Sequence, residues 1–329
     1  MDGVRVYFGF QSAFQIARTI HPSDRVAVRD ETKGLPDRAP NQEVVAAIVR
    51  RLRSSYPQIR IDYPVHVLVS TGSHRRFSEG CIEHVCSTSL KGRPFYRLER
   101  GVYSAAPALA FVQVAFREKS EMPVRELAYE LCGTYQTRRT GVDSDYQVAP
   151  LASVRDLLDF ASRNTSADGA RKALRALRYV ADGSASPRET KQALVLGLPL
   201  MYGGYGLGIP RMNYEVKASP AARAITGKSC FRCDLCWPGA KLDVEYQSRE
   251  SHEGEASRIS DSRRANALAA MGWTVIGITN DELESLAATD AIAGTIRRHL
   301  GKRAQVRIAD YHARKLKLRR QLGLPTRYE

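Results

Sequence analysis

Residues 232–252 read RCDLCWPGAKLDVEYQSRESH, and this stretch constrains the chain more than any other. Leu242, Val244 and Tyr246 alternate with Asp243, Glu245 and Gln247. Side chains of a strand point to opposite faces in turn, so one face here is apolar and the other carries two carboxylates and an amide. Pro238-Gly239 marks a turn just upstream, and the strand that enters it brings a third carboxylate, Asp234. Carboxylates gathered on neighbouring strands repel one another unless positive charge sits between them. A divalent cation with oxygen ligands supplies such charge.

A chain of 329 residues has room for two domains and an ample core. No apolar run of about 18 residues occurs, so no membrane span is expected. The start, MDGVRVYFGFQSAF, lacks the basic residues, long apolar run and small-residue cleavage site of a signal peptide, and a cytoplasmic location is the expectation. Cys81, Cys86, Cys132, Cys230, Cys233 and Cys236 are then read as reduced thiols. The net charge of +15 favours a polyanionic partner, DNA first. Residues 297–329 hold eleven Lys or Arg against two Asp or Glu, so more than half of that charge lies in the last tenth of the chain. Arg314, Lys315, Lys317, Arg319 and Arg320 are the candidate phosphate contacts, with a solvated basic tail as the alternative.

Pattern and punctuation divide the chain at Asp182-Gly183: residues 1–182, residues 183–302, and a basic helix or tail over 303–329. In the first part, helices are expected over 12–18, 42–52, 123–132, 154–161 and 167–180. Strands are expected over 65–70, 82–87, 95–98 and 109–115. In the second, Ser186-Pro187-Arg188-Glu189 is a capping-box start for a helix reaching about Leu198. Strands over 212–217, 229–236 and 241–247 follow, then a helix over 260–271 and a buried strand over 273–279. A last helix is capped by Asn280, with acids at its start and Arg297, Arg298 and His299 at its end, an order that suits the helix dipole. The expected fold class is α/β: an N-terminal α+β domain, then a mixed sheet flanked by helices.

Several motifs fail on inspection. Gly227-Lys228-Ser229 resembles the end of a phosphate loop, but Ala222 stands where that loop needs glycine. Cys230, Cys233 and Cys236 are spaced like a zinc knuckle without a second ligand pair beyond His252, so buried thiols are expected rather than structural zinc. Glu189 reads first as a helix-cap carboxylate, and Asp243 as solvated or structural.

The residues from Ser186 to Thr279 resemble the very-short-patch-repair-like endonucleases of the PD-(D/E)XK superfamily. The resemblance rests on Ser186-Pro187-Arg188-Glu189, Asp234-Leu235-Cys236-Trp237-Pro238, Val244-Glu245-Tyr246-Gln247, His252, Asp261 and Gly272-Trp273-Thr274-Val275 in that order. It covers about a third of the chain and implies a restriction-endonuclease-like sheet. Residues 4–180 are more diffusely similar to type IV abortive-infection antitoxins, through Ser12-Ala13, Val65-His66-Val67-Leu68-Val69 and Gly72-Ser73-His74-Arg75-Arg76. The N-terminal winged helix usual in those antitoxins is not evident.

The resemblance implies a Mg²⁺-dependent (or Mn²⁺-dependent) DNA endonuclease serving phage defence or DNA repair. Glu189, Asp234 and Glu245 are its implied metal carboxylates, and Asp234, Glu245, Gln247 and His252 its catalytic set. A protein partner on the N-terminal domain is a further implication. Gln247 stands where the superfamily pattern has Lys and close relatives have Asp, and Ser248 replaces a glycine. An amide positions water but carries no charge and takes no proton at neutral pH. The rival expectation is therefore a catalytically degenerate DNA-binding regulator. A third is a protein-interaction module with a merely solvated polar strand.

Overall fold

The structure, a computed structural model, describes residues 4–28, 34–72, 80–247, 255–303 and 306–327. The chain forms two compact units, Met1–Arg178 and Tyr179–Glu329. Both mix helix and sheet, and the fold class is α/β.

Unit 1 runs β1 (Val6–Phe8), α1 (Phe10–Thr19), β2 (Val26–Val28), α2 (Gln42–Ser55), β3 (Val65–Val69), β4 (Cys81–Val85), β5 (Phe95–Glu99) and β6 (Val102–Ala105). It continues with α3 (Pro107–Arg117), α4 (Glu121–Leu131), a small hairpin of β7 (Tyr135–Gln136) and β8 (Asp145–Tyr146), α5 (Val154–Arg163) and α6 (Ala170–Leu177). Its main sheet has the order β2-β5-β6-β1-β3-β4. The β1–β6 and β3–β4 pairs are parallel and the others antiparallel. In α2, Val45, Ile48, Val49 and Leu52 make one apolar stripe, and it packs with Ile16 of α1 and Ile20 just after it on Val6, Phe8, Val65 and Val67.

The strand expected over 109–115 is instead the body of α3. Its run ALAFVQVAF is apolar on nearly every side, so periodicity cannot separate a buried strand from a buried helix. Pro107 at the first helical position and the length of eleven residues decide it.

Unit 2 runs α7 (Pro187–Gly197), β9 (Arg211–Lys217), α8 (Pro220–Thr226), β10 (Cys230–Trp237), β11 (Leu242–Gln247), α9 (Glu255–Ala270) and β12 (Thr274–Thr279). It ends with α10 (Asn280–Glu284), α11 (Leu286–His299) and α12 (Tyr311–Gln321). The sheet order is β12-β11-β10-β9, with β11–β12 parallel and the other pairs antiparallel. Phe231, Cys233 and Cys236 of β10 pack with Ala222 of α8 and with Ala267 and Leu268 of α9.

Three expectations are corrected here. Among the described residues β12 is an edge strand paired on one side, and it is half-covered rather than buried: Thr274 and Val275 are exposed and only Ile278 is buried. The last helix is two helices: Thr279, not Asn280, caps α10, and Ser285 caps α11 by accepting from Ala288 N. The basic C-terminus is no free tail, because α12 is anchored inside unit 2. Lys315 Nζ donates to Asp290 Oδ1 at 2.6 Å, and Tyr205 donates to the same oxygen at 2.5 Å. Arg319 is 1% exposed and donates to the carbonyls of Pro325, Leu283 and Glu284. A buried cation needs such partners, so Lys315 and Arg319 serve the fold rather than phosphate. Arg314, Lys317 and Arg320 remain exposed, with Arg314 tied to Asp310 at 2.9 Å.

Candidate functional site: an acidic seam between β10 and β11

β10 and β11 pair from Trp237↔Leu242 to Leu235↔Val244, and the ladder stops there. Asp234 and Glu245 are the next residues along. The Asp234 carboxylate fills the opening: its Oδ2 accepts from Tyr246 N at 3.0 Å, replacing the missing backbone acceptor. On the other side, Asn213 lies across from Asp234 between the pairs Cys233↔Tyr214 and Leu235↔Met212. Asn213 has φ +48°, a left-handed conformation that asparagine tolerates better than most residues. Its amide donates to Glu189 Oε2 at 2.8 Å and to Gly183 O at 2.9 Å.

Glu189 holds the start of α7 as its cap position predicts. Ser186 Oγ accepts from Glu189 N at 3.2 Å and donates to Glu189 Oε1 at 2.9 Å. Ala185 N donates to Glu189 Oε2 at 3.0 Å, so the reciprocal bond reaches one residue beyond the cap. The carboxylate is engaged by its own helix start and by Asn213, yet it lies close enough to act on Asp234. Burial pushes Asp234 up to about 7, and the negative charges of Glu245 and Glu189 add to the shift.

Glu245 meets a cation that the sequence reading did not name. Arg264 of α9 donates to Glu245 Oε1 and, at 2.6 Å, to Arg232 O. The same guanidinium lies 3.6 Å from Asp243 Oδ2 and over the Phe231 ring. Asp243 is fully buried, which overturns the solvated reading, and its carboxyl lies against Glu245 and the Cys233 thiol. Burial, with Glu245 and Cys233 beside it, drives this carboxyl far above the carboxylate range, so it is neutral at pH 7. Cys236 and burial likewise keep the Cys233 thiol protonated.

Gln247 sits at the exposed end of β11 and leans over Gly277 of β12, where a Cβ would come within 2.7 Å of Gln247 Nε2. His252 lies outside the described residues. Asp261 is exposed on the second turn of α9. The structure therefore brings Asp234, Glu245 and Glu189 into one neighbourhood, adds Asp243 and Arg264, and leaves Gln247 at its edge. A signal for Arg264 did exist: carboxylates on a buried strand face need a counter-charge, and the next helix to pack back on the sheet carries Arg263-Arg264.

The donor chemistry suits a hard cation, since Asp234 and Glu245 present oxygens on adjacent strands. The arrangement is not a ready cage. Among the described residues, no three His, Cys, Asp or Glu side chains form a group that could hold a metal ion. Mg²⁺ needs only one or two carboxylates, completed by waters and substrate oxygens, but Arg264 now holds the charge position beside Glu245.

No family model matches the chain. Two curated proteins of Mycobacterium tuberculosis, from two strains and both described only as uncharacterized, are 29% identical to it over 130 residues, 40% of this chain and 43% of each relative. The chain thus spans less than half the length of the curated relatives it matches. No solved structure matches. None of the described helices is long and apolar enough to cross a membrane.

Proposed function

We propose that unit 2 is a divalent-metal-dependent DNA endonuclease domain of the PD-(D/E)XK type. The observation that carries this reading is the seat of Asp234 in the opening of the β10–β11 ladder, one step from Glu245. Two carboxylates on adjacent strands, with Glu189 near the first, are a donor set for Mg²⁺ or Mn²⁺. When bound, such an ion acidifies a water and stabilises charge on the leaving oxygen of a phosphodiester. In this reading Asp234 and Glu245 hold the ion, and Glu189 keeps the helix start and adds negative potential. Arg264, once released from Glu245, pairs with a phosphate oxygen. Gln247 orients water through its amide. Arg314, Lys317 and Arg320 on α12 add phosphate contacts that are indifferent to sequence, so binding weakens as salt rises. Unit 1 is proposed to bind a partner protein, in keeping with its antitoxin-like sequence.

A second reading is favoured by one pair of observations. Arg264 already neutralises Glu245, and an amide occupies position 247. A protein that binds DNA on this fold without cutting it would look the same at these two positions. Supercoiled plasmid incubated with Mn²⁺ or Mg²⁺ separates the two. Nicking by the wild type that disappears in Glu245→Ala supports the endonuclease. Salt-sensitive DNA binding without cutting by either protein supports the regulator.

A further inference from the structure

Among the described residues, the sheet of unit 2 has a free edge at β9 and another at β12, and the two are built differently. β9 exposes Arg211, Glu215 and Lys217 and turns left-handed at Asn213. Charged side chains and an irregular backbone keep a foreign strand from adding to an edge. β12 reads TVIGIT, with no charge and no proline. A short, uncharged, β-prone segment of this kind is a template for pairing with another strand.

The hydrogen-bond pattern shows which groups of β12 are open. Thr274 N donates to Lys241 O at 2.9 Å, and this sets the alternation along the strand. β11 and β12 run parallel from Leu242↔Thr274 to Gln247↔Thr279, so the N–H and C=O of Thr274, Ile276 and Ile278 face β11. Those of Val275, Gly277 and Thr279 face outward. Thr279 N is satisfied within its own cap, donating to Glu282 Oε2 at 2.8 Å. Among the described residues, no partner meets the outward N–H and C=O of Val275 and Gly277. Val275 also keeps 36% of its surface exposed.

We propose that the β12 edge is the interface of a homodimer, in which two copies of this strand pair antiparallel about a two-fold axis at Ile276. The register follows from the open residues. An axis at Ile276 sets Val275 of one copy opposite Gly277 of the other, and each such pair exchanges both of its N–H···O bonds. Every outward group of Val275 and Gly277 is then satisfied. Ile276 faces its own counterpart as the non-hydrogen-bonded pair, where side chains approach most closely. The lack of charge favours a second copy as the occupant. An isologous contact sets a strand against itself, and like charges facing each other across it would repel. Gly277 carries no side chain, and Gln247 leans over it, so Val275 of the second copy meets the Gln247 side chain. A ladder this short falls below the ~1,000 Å² of a tight interface, so the dimer forms at micromolar concentration. The proposal concerns the sheet edge and stands whether or not unit 2 cuts DNA.

The test is sedimentation equilibrium of the full chain at concentrations up to about 200 μM, where a Kd on the order of 1–100 μM is expected for the wild type. Val275→Pro removes an outward N–H and leaves the bonds to β11 in place, since proline is tolerated where an edge N–H faces solvent. It should weaken dimerisation at least ~10-fold while the melting temperature of the dilute protein stays unchanged. Val275→Lys adds the edge charge that β12 lacks and should do the same. Ile276→Cys should form an interchain disulfide under mild oxidation, because only this position meets itself across the axis. Thr274→Cys, which would face Ile278, should not. A wild type that is monomeric throughout, a dimer unchanged in both Val275 variants, or cross-linking by Thr274→Cys in preference to Ile276→Cys would overturn the proposal.

Discussion

The acidic seam of unit 2 and the histidine pair of unit 1, where His66 Nδ1 meets His84 Nε2 at 2.8 Å, both bury titratable groups, and burial moves Asp234, Asp243 and His66 toward their neutral forms. In the seam that direction is upward: Asp234 rises to about 7 and Asp243 goes higher. In the histidine pair it is downward: burial lowers His66, and Arg117 lowers it further. They differ in what surrounds the buried groups. The seam crowds four carboxyls, Asp234, Asp243, Glu245 and Glu189, around one guanidinium, and it is short of positive charge. The histidine pair sets one imidazole against another across β3 and β4, with Phe10 stacked on His84, and crowds no carboxylates together. A charge deficit suits a cation and a phosphodiester.

The largest effect that would sharpen this contrast is on chemistry. Glu245→Ala should lower plasmid cleavage at least ~10³-fold while unit 1 stays folded; an unchanged rate removes the seam from the mechanism. Next is Arg264→Met, which strips the seam of its counter-charge. It should destabilise unit 2 by about 3 kcal/mol in urea unfolding, as expected when one partner of a buried pair is removed. A loss within 0.5 kcal/mol would mean the pair is solvated and the charge deficit is overstated.

Asp234→Asn should act in the opposite sense. The folded-state value of about 7 lies above the ordinary 3.8, so the folded state holds this proton longer than the unfolded one. That contribution to stability is complete below about pH 4 and is lost as pH rises through 7. Asparagine has no such dependence and can still accept from Tyr246 N. The variant should therefore gain on the order of 2–4 kcal/mol over the wild type by pH 8, with no gain near pH 4. Thermal melts across that range check it, and a gain that is flat with pH would contradict the crowding of Asp234. The smallest effect belongs to the surface. Lys317→Ala with Arg320→Ala should weaken DNA binding about tenfold and reduce the dependence of log K on log salt by about 2, without changing stability. Lys315→Met should do the reverse, lowering stability through the loss of its bond to Asp290.

The hairpin of β10 and β11 was legible because alternation over Leu242–Gln247 and the Pro238-Gly239 turn specify the same local geometry. The same holds for the cap at Ser186, where one hydroxyl and one carboxylate suffice. Helix α8 carried the same signature, Ser219 before Pro220, but its seven residues left too little periodicity to notice. Helix α3 was hidden by an apolar surround that has no period. The need for a counter-charge beside Glu245 was legible, but not which arginine meets it, because nineteen residues and a helix–sheet packing event separate Arg264 from it. The inward turn of Lys315 and Arg319 was hidden for a related reason: a basic run looks alike whether its charges meet water or the carbonyls of a neighbouring helix.

The most direct test of the central claim is calorimetric titration of the wild type and Glu245→Gln with Mn²⁺ at pH 7.5. The account predicts saturable binding by the wild type, with a matching rise in melting temperature, and its loss in Glu245→Gln. No binding by the wild type, or equal binding by both proteins, would contradict the reading of the β10–β11 seam as a metal site.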